Sequence, residues 1–125
     1  MPVIRSADRR LTETPNAVMT TFASPTLGGA ERPVWRVDMR AGAEGPLHVF
    51  DVEQVWIVID GAARVEIGDE IHTLAAGDTV VIPSGRLRRI LADPNHGLAA
   101  IVTAAPGARA SLPDGTDRGV PGWIA

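Results

Sequence analysis

Residues 34–103 are cut at short, even intervals by turn-forming residues, and this spacing constrains the fold more than any other feature of the chain. Gly61, Gly68-Asp69, Gly77-Asp78, Pro83-Ser84-Gly85 and Asp93-Pro94-Asn95 each interrupt a run of aliphatic and polar residues. Glycine reaches backbone conformations closed to other residues, and proline cannot continue a hydrogen-bond ladder, so both punctuate strands. Val34-Trp35-Arg36-Val37-Asp38-Met39 alternates apolar and polar residues, the period of a half-buried strand. Further strands are expected over residues 54–60, 63–67, 70–74, 79–82, 87–91 and 98–103. Gly61 is expected in a tight turn that sends 63–67 back antiparallel to 54–60. No segment repeats apolar residues at helical spacing. The pattern is that of an all-β sandwich or antiparallel barrel.

The flanks differ in character. Residues 1–33 read as a polar leader, loosely held over 1–15, followed by a first strand over 17–23. Residues 34–104 form the barrel, and 105–125 form a tail rich in glycine and proline. The tail closes on Trp123-Ile124, side chains with little use in water, so it is expected to dock on the barrel or on a partner subunit. The 125 residues fit one compact domain overall.

Composition removes several chemistries. There is no cysteine, lysine or tyrosine, which excludes disulfides, thiolate ligands, Schiff bases and tyrosine acid catalysis. A net charge of -3 argues against a nucleic-acid partner, because phosphate binding needs clustered positive charge. No apolar run approaches the ~20 residues of a membrane-spanning helix. The N-terminus lacks a basic stretch followed by an apolar run, so a cytoplasmic protein without a membrane partner is expected.

The run from Gly42 through His48-Val49-Phe50-Asp51-Val52-Glu53-Gln54 to Gly61 resembles the first motif of the cupin family. The run from Gly77 through Pro83 and Gly85 to Arg88 resembles the second. The resemblance covers roughly residues 34–103 and implies a single-domain, cupin-type antiparallel β-barrel, or jelly roll. In that family three histidines and one glutamate point inward and hold a divalent metal. The resemblance puts His48 at the first histidine, Phe50 at the second, Gln54 at the glutamate and Arg88 at the third histidine. A phenyl ring offers no lone pair, and a guanidinium donates hydrogen bonds and repels a dication. Stable transition-metal sites use three or four protein ligands, so no metal and no other cofactor is expected. Asp51 and Glu53 would serve as carboxylates in a different frame, but in an extended chain they lie opposite to His48, Phe50 and Gln54. His96 is expected on a surface loop, and His72 is assigned no role.

With Gln54 inward, Trp56 and Val58 face the interior, and Val55, Ile57 and Ile59 face the other side. A strand apolar on both faces needs cover on both, and a homodimer supplies the second cover. The alternative is intramolecular cover by the N-terminal strand or the tail. The interior then holds Phe50, Gln54, Trp56, Trp35 and Met39 as substrate-binding residues around His48 and Arg88. Apolar walls with a few convergent polar groups make a small-molecule site. Three functions fit it. The first is a metal-independent isomerase, cyclase or dehydratase acting on an enolisable or anionic metabolite. There His48 acts as general acid or base and Arg88 holds an oxygen. The second is a non-catalytic binding module. The third is a metal-dependent oxygenase with an atypical ligand set. A buried Arg88 needs an anionic partner, either Asp51, Glu53 or a bound acid, and its charge should lower the pKa of His48.

Overall fold

The alternation in β3 (Val34–Met39) carries straight into the structure: Trp35, Val37 and Met39 are buried, while Val34, Arg36 and Asp38 are half-buried on the other face. A computed structural model describes residues 3–125. β3 lies between β2 (Val18–Ala23) and β9 (Leu98–Ala104). β9 pairs in turn with β5 (Gln54–Ile67), in the register Val55↔Thr103 and Trp56↔Val102. β7 (Thr79–Ile82) pairs with the first half of β5, and β6 (Glu70–Ala75) and β8 (Arg88–Ala92) with its second half. Every one of these pairings is antiparallel. Trp35, Val37, Val58, Ile82 and Val102 meet at the centre, each almost wholly removed from water. Among the described residues no helix is long and apolar enough to cross a membrane. The molecule is an all-β, antiparallel barrel.

The tight turn expected at Gly61 is not there. β5 runs unbroken for 14 residues, and residues 63–67 continue 54–60 instead of returning beside them. Gly61 sits at the bend where the strand passes from its β9 and β7 partners to β6 and β8. The register against β9 shifts between Val58 and Asp60, the mark of a bulge. Gly61 has φ 69°, and a Cβ at that position would run into the Gly97 carbonyl. A glycine with positive φ serves a bulge as well as a hairpin, so sequence alone does not separate the two.

Two further expectations change at the ends. The leader is not loose throughout, since residues 10–13 form β1 (Arg10–Glu13) against β2. Arg10 Nη1 donates to the carbonyl oxygens of Gly122 and Ala125, which ties this strand to the tail. The tail itself forms β10 (Ala110–Ser111) and β11 (Asp117–Gly119), which join β4 (Val49–Phe50) in a small second sheet. Ile124 is fully buried in the chain's own barrel. Thr21 and Ser24 hydroxyls donate to the carbonyls of Trp123 and Ala125 at 2.7 and 2.6 Å.

Candidate active site in the barrel

Residues 41–46, which read as a turn-rich connector, lead into a segment that runs extended alongside β8. Gly45 N donates to Ile90 O at 2.8 Å, and a Cβ on Gly45 would stand 2.9 Å from that oxygen. A side chain there would force the two segments apart. The approach brings His48 directly opposite Arg88, where each backbone N–H donates to the other's carbonyl, at 3.1 and 2.9 Å. Residues so paired project their side chains from the same face of the ladder. Phe50 in β4 and Gln54 at the start of β5 bring two more side chains to this place.

The four residues interlock. Gln54 Oε1 accepts from Arg88 Nη2 at 2.8 Å and from Trp56 Nε1 at 3.0 Å. Two donors on one oxygen orient the carboxamide, and among the described residues Gln54 Nε2 has no acceptor and Arg88 Nε is equally unpartnered. The guanidinium carbon of Arg88 lies 4.8 Å from the centre of the Phe50 ring. The His48 ring meets the same phenyl edge-on at 5.2 Å and 74°. Phe50 thus gives the buried cation an aromatic face, an interaction of about 2 kcal/mol when desolvated.

Charge follows from burial. Arg88 is 2% exposed, and burial lowers its pKa to about 9, so it stays charged at neutral pH. Burial first, and the Arg88 charge second, lower His48 to about 4. His48 Nδ1 lies 2.7 Å from Pro46 O, and a carbonyl only accepts, so Nδ1 donates. The neutral ring then carries its lone pair on Nε2.

The partners suggested for Arg88 within the chain do not reach it. Asp51 is exposed and accepts from the backbone N–H of Arg109 at 2.8 Å, while Glu53 is exposed on the outer parity. His96 is exposed beside Asp93, and His72 lies near Glu70 on β6. Among the described residues no three His, Cys, Asp or Glu side chains cluster as a metal site. The residues at the family's metal position do not fit a dication. One imidazole and one carboxamide remain there, and the carboxamide oxygen is already bonded to a buried guanidinium.

All seven residues singled out by sequence, His48, Arg88, Phe50, Gln54, Trp56, Trp35 and Met39, line one cavity of about 440 Å³. The size lies within the roughly 300–1,000 Å³ of small-molecule pockets. Sequence reasoning missed the walls contributed by the flanks: Asn16, and from the tail Arg118, Pro121 and Trp123. The terminal Trp-Ile pair was the one signal that the tail had a place on the barrel.

The cupin domain family matches residues 35–99, and the chain belongs to it. A cupin-2 domain of Rhodospirillum rubrum is similar in structure at 14% identity and TM-score 0.77, over 88% of this chain and 78% of that one. A cupin 2 domain-containing protein from Halorhodospira halophila is 22% identical at TM-score 0.74, over 82% and 74%. A protein of Silicibacter pomeroyi, described as a sugar phosphate isomerase of the cupin superfamily, is 19% identical at TM-score 0.62, over 77% and 66%. No curated protein matches the chain.

Proposed function

We propose that this cupin is a metal-independent enzyme that moves a proton on an enolisable small molecule inside its barrel. The observation that carries the reading is the pairing of a neutral imidazole, His48, with a buried, charged guanidinium directly opposite it. His48 Nε2 takes a proton from a carbon beside a carbonyl. The electron pair left behind forms the C=C bond of an enolate, and the negative charge moves to the oxygen. Arg88 holds that oxygen, and a buried, preorganised cation stabilises it better than water would. The imidazolium then returns the proton to another carbon, completing an isomerisation, or to a leaving hydroxyl, completing a dehydration. In a cyclisation the enolate carbon bonds to a second carbonyl carbon of the same molecule, and the proton goes to the alkoxide formed there. Gln54 orients the guanidinium, and Trp35, Trp56 and Met39 give the substrate an apolar bed. The isomerase described among the similar structures lies on the same fold, but a fold hosts many chemistries and identifies no substrate.

The test is proton exchange. In deuterated buffer, a panel of β-diketones and β-keto acids should gain deuterium at the enolisable carbon faster than in buffer alone. His48→Gln should slow that exchange by about 10²-fold or more while binding changes little. Ligand binding without exchange in any compound would leave a binding module using the same cavity. Exchange unaffected by His48→Gln would remove the imidazole from the reaction.

A further inference from the structure

Of the chain's 15 acidic and 12 basic residues, the cavity takes an unequal share. Among the described residues none of its lining side chains is acidic, and two are arginines, Arg88 in the interior and Arg118 in the exposed tail. This is a positive cavity in a protein whose net charge is -3. Among the described residues the Arg88 guanidinium makes no ion pair, and its one hydrogen bond goes to a neutral carboxamide. The unpaired polar atoms buried here, Arg88 Nε and Gln54 Nε2, are both donors. A buried cation with no counter-charge costs several kcal/mol, and leaving donors unmet adds to that cost. The remaining lining is mostly apolar and aromatic, including every tryptophan of the chain, Trp35, Trp56 and Trp123.

We infer that the physiological ligand is a carboxylate with a flat or compact apolar body, whose acid group lies in the cavity against the Arg88–Gln54 pair. A carboxylate is acceptor-only and planar, and one of its oxygens together with the neighbouring keto oxygen of a β-keto acid meets the guanidinium fork, so that Arg88 holds both the acid and the oxygen that becomes the enolate's. It supplies the charge that Asp51 and Glu53 do not. This inference rests on the proton-transfer reading and narrows its substrate to an acid. It also gives the acid a second task. An anion beside Arg88 offsets the positive field at His48 and raises its pKa toward the range in which a base works best. An acidic substrate therefore improves the base that acts on it.

The probes are benzoate and its neutral isostere benzamide, and the three cavity tryptophans report binding through their fluorescence. Benzoate should bind the wild-type protein at least ten-fold more tightly than benzamide, and Arg88→Met should bring the two within about two-fold. A measurement that needs no variant accompanies this one. Proton NMR titration should show His48 titrating at higher pH with saturating benzoate than without it, and benzamide should not produce that rise. Equal affinities of acid and amide would overturn the inference, as would an undiminished preference in Arg88→Met. So would silence of the fluorescence to benzoate, 2-naphthoate and hexanoate alike. Each of these results leaves the deuterium-exchange test free to succeed on neutral ketones. Loss of His48-dependent exchange with acid preference intact would instead sink the catalytic reading alone.

Discussion

Protonating His48 inside the folded protein means placing a second positive charge beside Arg88 in a site short of water. An unfolded chain holds that proton near the ordinary histidine value of 6.5, whereas the folded chain holds it only below about 4. Between those values the unfolded state binds more protons than the folded one, so stability rises with pH across that window. In the other direction, stability is lost as the pH falls from about 6.5 toward 4. The loss amounts to about 3 kcal/mol if His48 acts alone. Urea unfolding at pH 4.5 and pH 7 should show this slope in the wild-type protein and a flatter one in His48→Gln, which has nothing to titrate there. Identical slopes would mean that the imidazole is better hydrated than its position beside Phe50 and Pro46 implies. The residue types at His48, Phe50, Gln54 and Arg88 were legible from motif spacing. That the unpaired atoms of Arg88 and Gln54 are both donors was not, because it depends on which way the Gln54 carboxamide turns.

At the scale of elements, β5 organises the molecule by belonging to both halves of the barrel. Its first half carries Gln54 and Trp56 into the cavity, and its second half pairs with β8, which presents Arg88. The bend between the halves rests on Gly61. Alanine there meets two penalties, a left-handed backbone that costs a β-carbon about 1–2 kcal/mol and a clash with the Gly97 carbonyl. Gly61→Ala should therefore lower unfolding stability by more than about 2 kcal/mol in urea titration, well above the usual effect of a substitution on an exposed strand. A loss below 0.5 kcal/mol, the scale of such surface substitutions, would show that the bend relaxes without glycine. Strands with strict alternation, such as β3, and short aliphatic ones, such as β7, were legible residue for residue. β1, β10 and β11 were not, because they are short and carry little apolar periodicity, and β10 and β11 join the fold through β4, a strand distant in sequence.

At the scale of the whole molecule, one face lacks cover. Val55 and Ile57 point outward from β5, in register with Val81 and with Ile101 on the neighbouring strands. Ile57 is 42% exposed and Val81 51%. The two intramolecular covers are taken up elsewhere: β1 extends the sheet beyond β2, and the tail packs against β4 and the cavity. We propose that a second copy covers this face, in the two-fold arrangement that is commonest for soluble proteins. Light scattering should report twice the 13.2 kDa chain mass, and Ile57→Asp should return the monomer. A wild-type monomer at both dilute and concentrated conditions would overturn the dimer.

What the sequence determined by itself was the all-β class, the cupin resemblance and the seven residues around the cavity. Those depend on local properties: period-two alternation, the turn chemistry of glycine and proline, and motif spacing along one chain. Three things only the tertiary structure decided. The chain continues through Gly61 instead of turning back, and the bend is packed against the Gly97 backbone in the turn that leads into β9. The tail completes the cavity wall with Arg118 and Trp123, because β10 pairs with β4 and carries β11 beside it. And among the described residues Arg88 finds no carboxylate, because Asp51 faces Arg109 and solvent. Such facts join residues far apart in sequence, and no local pattern along the chain encodes them.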